Sequence, residues 1–63
     1  MTVILLIFDD YPCVIESLRF DNVDVAKEFV QNRSDIFKEN WRETTVSNHP
    51  MHYNSAYEIH VFE

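Results

Sequence analysis

The chain has 63 residues, a single cysteine and a formal charge of −6, from eleven acidic and five basic side chains. That length makes one small domain near the lower limit for an unaided core, because a chain of ~60 residues buries only about 60% of the surface its unfolded form exposes. One cysteine excludes an intramolecular disulfide, and the acidic balance lacks the basic footprint that direct nucleic-acid binding needs.

Met1-Thr2 enters an apolar run directly, with no basic segment before it. The run is ~6 residues against the ~20 of a membrane helix, so a soluble, cytoplasmic protein is expected. Thr2–Asp9 predicts a central strand. Alternate side chains leave a strand on opposite faces, so the run is apolar on both: Val3, Leu5 and Ile7 on one, Ile4, Leu6 and Phe8 on the other. One helix can cover only one face. A partner copy is expected on the other, with Ile4, Leu6, Phe8 and Tyr57 as the homodimer interface. Oligomerisation is also the staple left to a scaffold of this size without disulfides.

Asp9-Asp10-Tyr11-Pro12 supply turn chemistry, and Cys13–Phe20 predicts a second strand that closes a hairpin. Val14, Leu18 and Phe20 fall on one side and Cys13, Ile15, Ser17 and Arg19 on the other, with Glu16 left among the apolar set. Cys13 in such a strand is expected as a small buried hydrophobe. Asn22 is a good N-cap, and Asp24 suits the positive end of a helix dipole. Val25, Ala26, Phe29, Val30, Arg33, Ile36, Phe37 and Trp41 recur at helical spacing, which predicts one helix to about Asn40. A second short helix capped by Ser34-Asp35 is the alternative.

Trp41–Ser47 stays open between strand and loop, although Thr44, Thr45 and Val46 are β-branched. Asn48-His49-Pro50 and Asn54-Ser55 bracket an expected loop. Ala56–Phe62 predicts a closing strand with Tyr57, Ile59 and Val61 on one face and Glu58, His60 and Phe62 on the other. The order β-β-α-(β)-β defines an α+β fold over residues 1–63: an antiparallel sheet of three or four strands with one helix on one face.

The chain contains no glycine. Loops that cradle phosphate through close backbone approach recruit glycine, so a P-loop or a dinucleotide fingerprint is excluded. His49 and His52 are spaced to chelate a metal, with His60 as a third donor, and a small metal-dependent hydrolase would use them with an acidic residue. The plainer reading is solvent-exposed loop histidines, and no metal or other cofactor is expected. Asp9, Asp10 and Glu16 could divide acid and base roles, but neighbours at a strand end tend to point apart and the hairpin needs turn residues there. A Cys13–His dyad is disfavoured by its apolar setting, which raises a thiol pKa.

Acidic residues Asp24, Glu28, Asp35, Glu39 and Glu43 run through and beyond the helix, interleaved with Lys27, Arg33, Lys38 and Arg42. Such a row is usually a solvated face, and it can also imitate spaced phosphates for a basic partner. Five Phe, three Tyr and one Trp exceed what one thin core hides, and aromatics concentrate at interfaces. Tyr11, Tyr53 and Tyr57 are the interface candidates among them.

The pattern Val3–Asp10, then Glu16-Ser17-Leu18-Arg19-Phe20-Asp21-Asn22, then Ala26-x-x-Phe29-Val30, resembles small phage proteins that open with a hairpin and continue into a helix and a closing strand. Tyr11-Pro12 stands where those hairpins often carry glycine. With the acidic balance, the resemblance extends to phage host-takeover proteins that mimic DNA and block basic nucleic-acid-binding proteins. It implies a non-enzymatic inhibitor of a basic host protein, acting in the host cytoplasm, with Asp24, Glu28, Asp35, Glu39 and Glu43 as the partner-binding residues. An antitoxin-like or adaptor module that binds by adding a strand to its sheet edge is the alternative.

Overall fold

The computed structural model describes residues 1–33 and 41–63. Six elements follow one another: β1 (Thr2–Phe8), β2 (Val14–Phe20), α1 (Val23–Arg33), β3 (Arg42–Val46), β4 (His49–Tyr53) and β5 (Tyr57–Phe62). The strands form one sheet in the order β2-β1-β5-β4-β3, with every pair antiparallel. Among the described residues the fold is α+β with one helix, but the sheet has five strands rather than three or four.

The extra strand comes from the segment read as a loop. Ser47 and Asn48 adopt positive φ values of 48° and 67°, the left-handed pair of a two-residue hairpin turn whose twist matches that of its strands. The turn therefore falls before His49, and His49–Tyr53 pairs with Arg42–Val46 from Val46↔His49 outward. Pro50 is accommodated by direction. Flanking a two-residue turn, alternate residues bond across the hairpin, so the nitrogen of Pro50 faces β5 rather than β3. On that side the β4–β5 ladder begins only at Met51↔His60.

The first hairpin also differs from expectation. Register shifts between Ile7 and Phe8, so that Ile7 opposes Glu16 while Phe8 opposes Val14. This bulge leaves Ile15 unmatched and turns Val14 to the side opposite Leu18 and Phe20. Cys13 precedes β2 and is exposed, so it is not a core hydrophobe. Asp9 builds the turn that glycine would otherwise make: its Oδ1 accepts the backbone N–H groups of Tyr11 at 2.9 Å and Cys13 at 2.6 Å.

α1 begins where Asn22 caps it, accepting the Asp24 N–H on its Oδ1 at 2.7 Å. The helix is described to Arg33, and the expected continuation to Asn40 lies outside the described residues. α1 packs over β1, β2 and β5. Beneath it Val3, Leu5 and Ile59 are fully buried, with Ile7, Tyr57 and Val61 beside them and Ala26 and Val30 above. Glu16, at the end of that same row of β2, is taken up by Arg33 of the helix at 2.9 Å. Arg33 also lies over the Phe29 ring, 5.6 Å from its centroid.

Candidate functional site

The helix packs on one face of the sheet, and among the described residues nothing covers the other, here called the bare face. The ladder registers place Thr2, Ile4, Leu6 and Phe8 of β1 on the bare face with Ser17 and Arg19 of β2 and Glu58, His60 and Phe62 of β5. Met51 and Tyr53 of β4 and Arg42 and Thr44 of β3 continue the same face to the far edge. Ile4, Leu6 and Phe8 are half-buried by their neighbours alone, and Phe62 and Val46 are exposed. Three of the four residues expected at a homodimer interface thus share this surface. Tyr57 does not: it opposes Ile7, faces the helix and is only 7% exposed. Counting by two along β5 puts it with Ile59 and Val61 in the core.

The histidines are redistributed by the strand. His49 and His52 are three residues apart, and in an extended chain that spacing sends them to opposite faces. His52 opposes Ile59 on the helix side, where its Nδ1 lies 3.3 Å from Glu43 Oε1 without the alignment of a hydrogen bond. His49 instead meets His60 on the bare face, with His49 Nε2 and His60 Nδ1 2.8 Å apart. His60 Nε2 in turn lies 2.9 Å from Glu58 Oε1. With Glu58 ionised and both rings neutral, His60 donates through Nε2 to the carboxylate and accepts at Nδ1 from His49; a protonated His60 would donate through both nitrogens. The His49 ring rests against Phe62, centroids 4.4 Å apart. An open groove runs past this end of the pair, lined by Ser47, Asn48, His49, Pro50, Val61, Phe62 and Glu63. Sequence spacing sets His49 beside His52; the hairpin turn at Ser47-Asn48 sets it beside His60 instead, on strands rather than in a loop.

The other expected constellations separate. Asp9 is occupied by backbone donors, and these N–H groups, Cys13 first and Tyr11 second, hold its carboxyl below the usual value of 3.8. Glu16 is engaged by Arg33. Cys13 adjoins edge strand β2, whereas the histidines sit on β4 and β5 beyond β1. Among the described residues, no group of three or more His, Cys, Asp and Glu side chains is placed to hold a metal ion. No helix there is long and apolar enough to cross a membrane.

Of the acidic row, Asp24 and Glu28 stand exposed on α1, on the side away from buried Ala26 and Val30. Glu43 is exposed on β3, at the sheet edge that α1 does not reach. Asp35 and Glu39 lie outside the described residues. The chain matches no family model, and comparison with curated proteins and with solved structures found no match.

Proposed function

We propose that this chain is a small non-enzymatic binding protein that pairs with a second copy through the bare face of its sheet. Its acidic outer surface engages a basic protein partner of the kind that handles nucleic acid. The segregation of charge is the observation that supports this reading. On the bare face the charged groups placed by the registers are Arg19, Arg42 and Glu58, although the whole chain carries −6. The apolar face is therefore relieved of the repulsion that the rest of the surface would impose on self-association. Five strands ~4.8 Å apart and about 20 Å long offer on the order of 500 Å² per copy. A pair would bury roughly 1,000 Å², the lower range of a specific interface.

Asp24 and Glu28 on the outer side of α1 face away from that surface and stay available to a basic partner. The resemblance to phage inhibitors that imitate DNA implies the same use of spaced carboxylates. Sedimentation at micromolar concentration tests the pairing: a dimer that Leu6→Glu converts to a folded monomer is expected, and a wild-type monomer overturns it. Retention of basic nucleic-acid-binding proteins on the immobilised chain at low salt, with release at high salt, tests the partner. Retention indifferent to salt overturns the acidic-surface reading.

A second reading has its own support in β3. All five of its residues are exposed and it forms a sheet edge. Flanking the two-residue turn, Glu43 and Thr45 direct their backbone groups outward, open to an added strand. That mode predicts salt-independent binding lost on Thr45→Pro, a change that leaves the β3–β4 ladder its donors.

A further inference from the structure

The bare face carries a hydrogen-bonded chain of ionisable groups at its centre. β5 is the middle strand of five. Glu58 and His60 follow one another along its bare side, and His49 of β4 completes the line. We propose that pairing of two copies takes up a proton onto this Glu58–His60–His49 chain, so that mild acid tightens the dimer and mild alkali loosens it. Such coupling rests on the face-to-face pairing proposed above and makes it responsive to pH.

Position creates the need for a proton. The side chains of His60 and Glu58 are only 15% and 35% exposed in the single copy, and a second copy over the middle strand removes the remaining water. There, an ionised carboxylate among neutral rings is a net charge, which is costly to bury. One proton cancels it. A solvent proton arrives at His49 Nδ1, on the ring that borders the open groove. The Nε2 proton of His49 then passes along the existing 2.8 Å hydrogen bond to His60 Nδ1. His60, now an imidazolium, keeps donating through Nε2 to Glu58 at 2.9 Å and donates through Nδ1 to His49. Every hydrogen bond of the chain survives, and its net charge falls to zero. A second proton would set two donors against each other, so the coupling is one proton per chain.

The surrounding groups leave this role to the chain. Beside it β1 presents Ile4 and Leu6, and β4 presents Met51 and the Tyr53 phenol. Arg42 opposes Tyr53 in the row of Glu58, and Arg19 opposes Ile4 in the row of His60. Each is two strands away, about 10 Å. Glu63 lines the groove beside His49. His52 with Glu43 belongs to the helix side of the sheet, as does α1. Among these side chains histidine is the one whose ordinary charge change falls between pH 5 and 8.

Sedimentation of the intact protein between about pH 8 and pH 6, in salt high enough to screen the overall charge, tests this. Each proton taken up tightens association by up to about tenfold per pH unit, so the wild-type dissociation constant should fall at least about tenfold over this range. Glu58→Gln and His60→Gln should flatten the profile to within about twofold, and His52→Gln, on the other face, should keep the wild-type slope. Calorimetric dilution of the wild-type dimer, in two buffers of different ionisation heat, counts the protons without any variant: release on dissociation is expected. A dimer that dissociates without proton release, or one whose pH profile persists in His60→Gln, overturns the coupling and leaves the pairing standing. A wild-type monomer at every pH removes the pairing itself, and the coupling with it.

Discussion

At the scale of single residues, the turns are built by side chains doing what glycine does elsewhere. Asp9 caps two backbone N–H groups at the first hairpin, and Asn54 does the same at the β4–β5 turn, accepting from Ala56 at 3.1 Å and Tyr57 at 3.0 Å. The Asp9 bonds stabilise the ionised carboxyl, so its folded pKa lies below the unfolded one. Such a group contributes stability that is fully present above the unfolded value and lost as pH falls through the folded value. Urea midpoints of the wild type and Asp9→Asn, measured downward from pH 6, should show a smaller acid loss in the variant. Identical acid limbs would remove Asp9 from the account. Ser47 and Asn48 work without such help: both take left-handed φ, which costs an ordinary side chain on the order of 1–2 kcal/mol. The turn type favours Asn-Gly. Ser47→Asn with Asn48→Gly should add about 1 kcal/mol and raise Tm by roughly 5 °C, readable by thermal melting.

At the scale of elements, β1 shows how one strand serves two surfaces. Leu5 is fully buried under α1 between Leu18 and Ile59, whereas Leu6 is half-buried between Ser17 and Glu58. Leu5→Ala should cost about 2–5 kcal/mol, comparable with the whole stability of a domain this small. Leu6→Ala should cost clearly less in dilute monomer, by denaturant titration. Equal losses would mean that the helix does not define the core. α1 is held by its Asn22 cap, by Phe20 against Phe29 with ring centroids 5.5 Å apart, and by the Arg33–Glu16 pair. That pair is about half exposed, so screening limits it to ~0–1 kcal/mol, and it aligns the helix more than it stabilises it.

At the scale of the whole molecule, one helix on five strands leaves a sheet face that is apolar, nearly neutral and uncovered by the described chain. Salt then acts in opposite directions on the two proposed associations. Self-association of copies carrying −6 each should tighten as salt screens their mutual repulsion, while binding to a basic partner should loosen. Sedimentation and partner titration across the same salt series would show this crossing. Parallel trends would mean that one surface serves both.

The reading from sequence succeeded where local pattern is enough. The unbroken apolar run of β1, the alternation of β5, the Asp9 turn and the Asn22 cap are short-range facts, written in residues at most a few positions apart. Residues 49–53 misled because Pro50 and two histidines look like a loop until the Ser47-Asn48 turn sets which way the proline nitrogen faces. The bulge that rotates Val14 comes from cross-strand register, which no single strand encodes. Periodicity separated Tyr57 from His60 and Phe62, yet it could not say which set meets the helix. That choice, and with it the pairing of His49 with His60 rather than His52, is made when α1 docks and the ladders lock, because contacts between distant segments depend on register and handedness rather than on neighbouring residues.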